Sequence, residues 1–252
     1  MLFEEIVYGP IHSRRLGTSL GINLMPTDCK LCTFDCVYCE CGWTKAVRNP
    51  ALPTRKQVSE ALKAKLSVMS LPIDVITFSG NGEPTLHPEF EGIMQDTCHL
   101  RDRYCEDAKV SVLSNSTQLY RPEVVRGLLM ADNRILKLDS AIDRTMRLID
   151  RPLNTDLTVE KIVSYMEIFY HDFSLQTCFL RGECEGETID NTTNEELRRY
   201  YEMVDRLVPK DIMIYVIDRQ TPCPTLEKIG VEKMQEIADM LRHKGFSVTV
   251  SL

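Results

Sequence analysis

The chain has 252 residues, 43% of them hydrophobic and 27% charged, with a formal net charge of −7 and a pI of about 5.4. That balance is ordinary for a globular protein, and it speaks against a broad basic footprint for nucleic acid, though not against a local basic patch. No run approaches the roughly 20 apolar residues of a membrane-spanning helix, and the opening MLFEEIVYGP, with two early acids, does not read as a signal peptide.

Short apolar runs alternate with helical patterns along the chain. The first strand is expected from Thr18 to Leu24, directly before a cysteine-rich loop. A helix is expected from Thr54 to Ser70, opened by the capping-box pair Thr54 and Gln57, with Val58, Ala61, Leu62 and Leu66 at helical spacing. A strand from Ile73 to Ser79 runs into Gly80-Asn81-Gly82, and a helix follows from Pro88 to Arg101. A strand from Val110 to Leu113 ends at Ser114-Asn115-Ser116, before a helix from Pro122 to Met130. The next strand, Ile135 to Leu138, ends at Asp139 and precedes helices near Arg144 to Ile149 and Thr158 to Tyr170. A strand from Phe173 to Leu180 leads to a helix capped by Thr193 and Glu196 and ending near Leu207. A strand from Asp211 to Ile217, a helix from Val231 to His243 and a short strand from Phe246 to Leu252 complete the chain.

Strands separated by helices require crossover connections and a mostly parallel sheet. The expected class is α/β, a partial (open) TIM-type (β/α)6 barrel, with a doubly wound sheet as the competing architecture. Either places ligands at the C-terminal ends of the strands, where the polar, Gly-rich and Cys-rich segments fall. With no repeats or linkers, one domain over residues 1–252 is expected, its core at about 17–220 and a C-terminal helix and strand over 231–252.

Five of the ten cysteines cluster within Cys29–Cys41 in a chain of this size, which favours reduced thiols in the cytoplasm over a disulfide framework. Cys32, Cys36 and Cys39 form C-x-x-x-C-x-x-C. A 4Fe–4S cluster takes one Cys per iron, so three thiolates from one loop leave one iron open. Cys29-x-x-Cys32 and Cys36-x-x-Cys39 also read as zinc pairs, but zinc ribbons separate such pairs by about 12–20 residues, and only three intervene here.

The second motif, Phe78-Ser79-Gly80-Asn81-Gly82-Glu83-Pro84-Thr85, follows a strand. Its small residues admit close backbone approach, and Glu83 adds a carboxylate. The bland alternative is a tight βα turn. Ser114 and Asn115 are read either as ligand contacts or as a polar turn. Lys137 and Asp139, on one strand face, are read as ligand contacts or as a buried ion pair. Arg181, at the end of the next strand, is read as a partner for a carboxylate or as a surface residue, and Asp218 and Arg219, ending the strand after it, as contacts of a ligand or the substrate. Cys98, Cys105 and Cys178 read as small hydrophobes. Cys29, Cys41, Cys184 and Cys223 are left as thiols for a second cluster or for hydrogen donation. Arg14 and Arg15, before the first strand, read as scaffold.

Together these segments resemble the radical SAM superfamily, within it the group related to wyosine-synthesising tRNA enzymes. The resemblance is carried by Tyr8-Gly9-Pro10, Ser13-Arg14-Arg15-Leu16-Gly17, the Cys loop and GNGEPT. It continues in Leu138-Asp139, Arg151-Pro152, Ile217-Asp218-Arg219 and Thr221-Pro222. The superfamily's GGEP motif is matched with Asn81 at its second glycine and one inserted residue. A flavodoxin-like extension, as in the eukaryotic wyosine enzymes, is not expected within these 252 residues.

The resemblance implies an enzyme in which Cys32, Cys36 and Cys39 hold a 4Fe–4S cluster and S-adenosylmethionine (SAM) chelates the open iron. It implies that Gly80, Asn81, Gly82 and Glu83 bind the methionine part of SAM and that Tyr38 packs near the adenine. Ser114 and Asn115 are then candidates for the ribose or the methionine carboxylate, and Asp139, with Lys137, for the ribose or the substrate. The family reaction is reductive cleavage of SAM to a 5′-deoxyadenosyl radical that takes a hydrogen from a substrate, with an electron donor such as flavodoxin or ferredoxin as partner. The substrate is left open among tRNA, a peptide or protein, and a small molecule. The competing function is an iron–sulfur electron-transfer protein without SAM chemistry.

Overall fold

The computed structural model describes residues 2–13, 15–45, 47–69 and 71–252. Arg14, expected as scaffold, and Ser70, the expected end of the first helix, lie outside the described residues. Contacts divide the chain into two units. One runs from the N-terminus to Cys32 and resumes over Thr44–Ile135; the other comprises Thr33–Trp43 and Leu136–Leu252.

In the first unit β1 (Val7–Ser13) lies antiparallel to β2 (Gly17–Ile22). Then come α1 (Arg55–Val68), β3 (Val75–Phe78), α2 (Phe90–Tyr104), β4 (Lys109–Ser114) and α3 (Pro122–Leu129). β2, β3 and β4 are parallel neighbours in that order, with Leu20, Ile76 and Val110 in register. All four residues of β3 are buried, as befits a parallel strand covered on both faces. Its one polar side chain, Thr77, is satisfied by the Ser19 hydroxyl at 2.8 Å.

The start of α1 follows the sequence pattern. Thr54 accepts from the Gln57 amide, and the Gln57 side chain accepts from the Thr54 amide at 2.8 Å. β1 was not expected, because Gly9-Pro10 interrupts its run. The register shifts between Tyr8 and Ile11, so a bulge carries the strand past that dipeptide. The Tyr8 ring then lies over Gly21, where a Cβ would collide with it.

β5 (Asn133–Lys137) begins in the first unit and ends in the second. The second unit continues with α4 (Asp143–Asp150), α5 (Val159–Met166), β6 (Ser174–Cys184), β7 (Glu187–Asp190), α6 (Asn194–Leu207) and β8 (Asp211–Val216). β9 (Leu226–Lys228), α7 (Val231–His243) and β10 (Val248–Ser251) complete it. β6, β8 and β10 are parallel in that order, and β7 and β9 pair antiparallel with the far end of β6.

β6 was expected to stop near Leu180 but continues to Cys184 as one arm of a hairpin with β7. The loop is Glu185-Gly186, with φ of +53° and +84°. Two positive φ values give the turn whose twist matches paired strands, but Glu-Gly lacks the Asn-Gly or Asp-Gly signal that marks it. α5 also ends earlier than expected, at Met166, and passes into a 3₁₀ turn over Glu167–Phe169.

Thr54→Ala removes the cap of α1 at an exposed position. The expected outcome is a loss of about 1 kcal/mol, read as a lower urea midpoint with an unchanged slope; Thr54→Ser is expected to keep most of the stability.

Candidate functional site

In the first unit the Cys loop and the glycine turn after β3 are laced together through their backbones. Leu31 N donates to the Asn81 carbonyl at 2.9 Å, and Glu83 N donates to the Leu31 carbonyl at 3.1 Å. Leu31 and Gly82 form a parallel bridge. At Gly82, φ is +146° and a Cβ would overlap the Leu31 carbonyl. Glycine is required here by the adjoining Cys loop itself. Cys32 is the next residue after Leu31.

The Asn81 side chain is committed inside the protein. Its Nδ2 donates to the Phe3 and Pro26 carbonyls, both at 2.8 Å, and its Oδ1 accepts from Phe3 N at 2.8 Å. Asn81 therefore pins the N-terminal segment beneath the turn. The Phe3 ring stacks on Tyr8 at 3.7 Å, and Tyr8 Oη meets Ser79 Oγ at 2.8 Å. The sequence offered no signal for this use of the asparagine, because its partners are backbone groups far along the chain.

Glu83 is buried, and its carboxylate joins the ends of β3 and β4. Oε1 accepts from Thr85 Oγ1 at 2.5 Å, Thr85 N at 3.1 Å and Ser114 Oγ at 3.0 Å. Oε2 accepts from Asn115 N at 2.7 Å. Burial pushes the Glu83 carboxyl above its usual range, while these donors pull it back. Ser114 and Asn115 are thus brought to the glycine turn, and Asn115 Nδ2 lies 3.6 Å from Cys32 Sγ.

The rest of the Cys loop belongs to the second unit. Asp35 N donates to the Asp150 carbonyl and Val37 N to the Ile149 carbonyl, each at 2.9 Å, so the loop is tied to the end of α4. Cys39 N closes a turn onto the Cys36 carbonyl at 3.1 Å. Lys137, the last residue of β5, lies behind this loop. Its Nζ donates to Cys36 Sγ at 3.0 Å and to the Asp150 carboxylate, and it stands 3.1 Å from Asp139 Oδ2. It also sits over the rings of Phe34 and Tyr38, at 4.9 and 5.2 Å from their centres.

Asp139 is equally occupied. Oδ2 accepts from the Tyr38 hydroxyl at 2.5 Å and Oδ1 from Cys178 N at 2.8 Å. Burial and the nearby Asp139 carboxylate hold the Tyr38 hydroxyl well above its ordinary value, so it stays a donor. Burial opposes the Lys137 charge, but Asp139 and Asp150 outweigh it and keep the ammonium protonated. Burial pushes Asp150 up to about 7 despite the pull of Lys137.

Other residues proposed from the sequence are engaged elsewhere. Arg181 pairs with Glu227 at 2.9 Å, and Arg219 with Glu40 at 2.6 Å, all on the surface. Cys184 and Cys223, expected as thiols for a second cluster or hydrogen donation, are joined to each other as a disulfide with Cα atoms 5.7 Å apart. The far end of β6 and the segment between β8 and β9 converge in the second unit, which sequence distance concealed. Cys29 and Cys41 form no disulfide, and burial followed by Asp28 raises the Cys29 thiol.

Cys32, Cys36 and Cys39 are also free of disulfides, and N–H donors reach the sulfurs of Cys32 and Cys36. Such donors favour the anionic thiolates that iron–sulfur clusters need, so the donor set fits a 4Fe–4S cluster. Among the described residues, no three His, Cys, Asp or Glu side chains are grouped so as to hold a single metal ion. A cuboidal cluster makes a different demand, since each thiolate binds its own iron.

Gly82→Ala introduces a side chain at a strained φ and against the Leu31 carbonyl. The expected cost is about 1–3 kcal/mol, measured by urea unfolding of the full chain.

The description "Radical SAM superfamily" matches residues 29–191. The chain is 28% identical over 235 residues to a protein of Brachyspira hyodysenteriae named GTPase Obg, covering 91% of this chain and 32% of that protein. It is 31% identical over 180 residues to a UPF0026 protein of Helicobacter pylori, covering 70% of this chain and 57% of that protein. The chain therefore spans about a third and just over half, respectively, of the lengths of these relatives. Streptococcus suis SuiB, solved bound to S-adenosylmethionine, is similar with a TM-score of 0.65 and 11% identity, over 90% of this chain and 50% of that one. That likeness shows the fold class, the expected α/β partial barrel with mostly parallel strands. With the family's signature covering more than half of its length, the chain belongs to the radical SAM superfamily, enzymes that bind a 4Fe–4S cluster and S-adenosylmethionine.

Proposed function

We propose that Cys32, Cys36 and Cys39 ligate a 4Fe–4S cluster whose fourth iron is left for SAM, and that the chain carries out radical chemistry on a substrate. The observation that carries this is the backbone lacing of Leu31 to Asn81, Gly82 and Glu83. It holds the first cysteine beside the turn that resembles the SAM-binding motif. When bound, the reduced cluster supplies the electron that cleaves SAM to methionine and a 5′-deoxyadenosyl radical, which removes a hydrogen from the substrate.

The chain's own residues divide the work. Gly80 and Gly82 offer backbone for the methionine end of SAM, because the Asn81 side chain is already committed to Phe3 and Pro26. Glu83 acts by position, fixing Ser114 and Asn115, which are assigned to the methionine carboxylate or ribose. Tyr38 is assigned to the adenine, its ring oriented by the bond to Asp139. Asp139 is a positioning residue, since both its oxygens already accept bonds from the protein.

The segments around Tyr8, Asp139, Arg151 and Asp218 support a kinship with wyosine-type enzymes, while the net charge of −7 favours a peptide or small molecule over RNA. An electron donor such as flavodoxin or ferredoxin completes the reaction. No helix among the described residues is long and apolar enough to cross a membrane. A cytoplasmic setting is proposed from the cysteines of the Cys loop, none of which is in a disulfide.

The test is anaerobic reconstitution with iron and sulfide, followed by SAM and dithionite. 5′-Deoxyadenosine is expected from the native chain and from none of the single Cys→Ala variants at 32, 36 and 39. An intact, reduced cluster that yields no 5′-deoxyadenosine would instead identify an electron carrier.

A further inference from the structure

We infer that Lys137 sets the reduction potential of the cluster through the sulfur of Cys36. Lys137 acts in this way only if Cys36 ligates the cluster, as proposed above. An ammonium has three donors, and Lys137 faces three acceptors: Cys36 Sγ at 3.0 Å, Asp139 Oδ2 at 3.1 Å and the Asp150 carboxylate. No donor is left for SAM or substrate, which separates Lys137 from the ligand-contact role read from its place at a strand end.

A buried ion pair alone does not account for the arrangement. Two carboxylates already compensate the one cation, and their side chains are 0% and 3% exposed beside a lysine at 14%. The bond to sulfur is a further interaction, aimed at a residue of the Cys loop. Asp150 contributes twice: its carboxylate holds Lys137, and its backbone carbonyl receives Asp35 N. The same residue therefore fixes both the cation and the loop that carries Cys36.

Cluster potentials respond to hydrogen bonds at sulfur, to net charge and to solvent exposure. Reduction adds an electron to the cluster. A cation and an N–H donor at Cys36 Sγ stabilise that added charge and make the potential less negative. The carboxylates of Asp139 and Asp150 act in the opposite sense, so the cation and its acid partners bear on the cluster with opposite signs. Phe34 and Tyr38 cover the ammonium from the sides, which keeps water from screening it.

The experiment is EPR-monitored potentiometry of the anaerobically reconstituted full chain, with iron and sulfide content measured on each sample. Lys137→Met is expected to shift the midpoint to a more negative value and Asp150→Asn to a less negative one, both with native iron content. A cluster-loaded Lys137→Met protein with an unchanged midpoint overturns the inference, as does a shift of both variants in one direction. If Lys137→Met fails to load, Asp150→Asn decides, because it retains the cation: an unchanged midpoint overturns the inference and the less negative value supports it. A native chain that binds no 4Fe–4S cluster removes the ligand assignment itself, an outcome distinguishable from all of these.

Discussion

The backbone bridge between Leu31 and Gly82 is the constraint on which the rest of the site depends. It is made of main-chain groups, so its geometry is set by the chain rather than by rotamers. It requires that one residue of the turn have no Cβ, and it places that turn one peptide away from Cys32. Around it the polar side chains serve as struts. Asn23 Oδ1 accepts from Asn81 N at 3.0 Å, the Asn81 amide holds the N-terminal segment, and Glu83 holds the end of β4. A carboxylate buried to this degree is tolerable because four donors meet it.

The second unit solves a similar problem with opposite charge. There a lysine is buried behind the loop that carries Cys36 and Cys39, and two aspartates and a sulfur satisfy its donors. Removing one member of such a group leaves another charge uncompensated in a dry setting, which is far costlier than the net worth of the pair. The two halves of the Cys loop thus rest on separate polar frameworks, one built on Glu83 and the other on Lys137.

Much of this was legible in the residues. The capping box at Thr54 and Gln57, the apolar strands and the stripe of α7 follow local periodicity and capping chemistry, and they occur close to where those rules put them. The Cys spacing and GNGEPT pointed to the superfamily that the comparisons show. What escaped was non-local or atypical. β1 contains Gly9-Pro10, which reads as a turn unless a bulge is foreseen. The β6–β7 hairpin turns on Glu-Gly, a pair without a hairpin signature. The partners of Asn81, Glu83 and Lys137 lie 31 or more residues away in several cases, and periodicity carries no information at that range. Cys184 and Cys223 were assigned by their places after strands, whereas their pairing depends on β9, which follows Cys223 and pairs with the far end of β6.

The central claim is that three cysteines leave one iron open and that SAM takes it. It is tested most directly by EPR of the anaerobically reconstituted, reduced chain before and after SAM is added. The expected result is a 4Fe–4S signal, about four irons per chain, whose g-values change on addition of SAM, with coupling to a nitrogen of the SAM amino group. A reduced cluster whose spectrum is the same with and without SAM would contradict it.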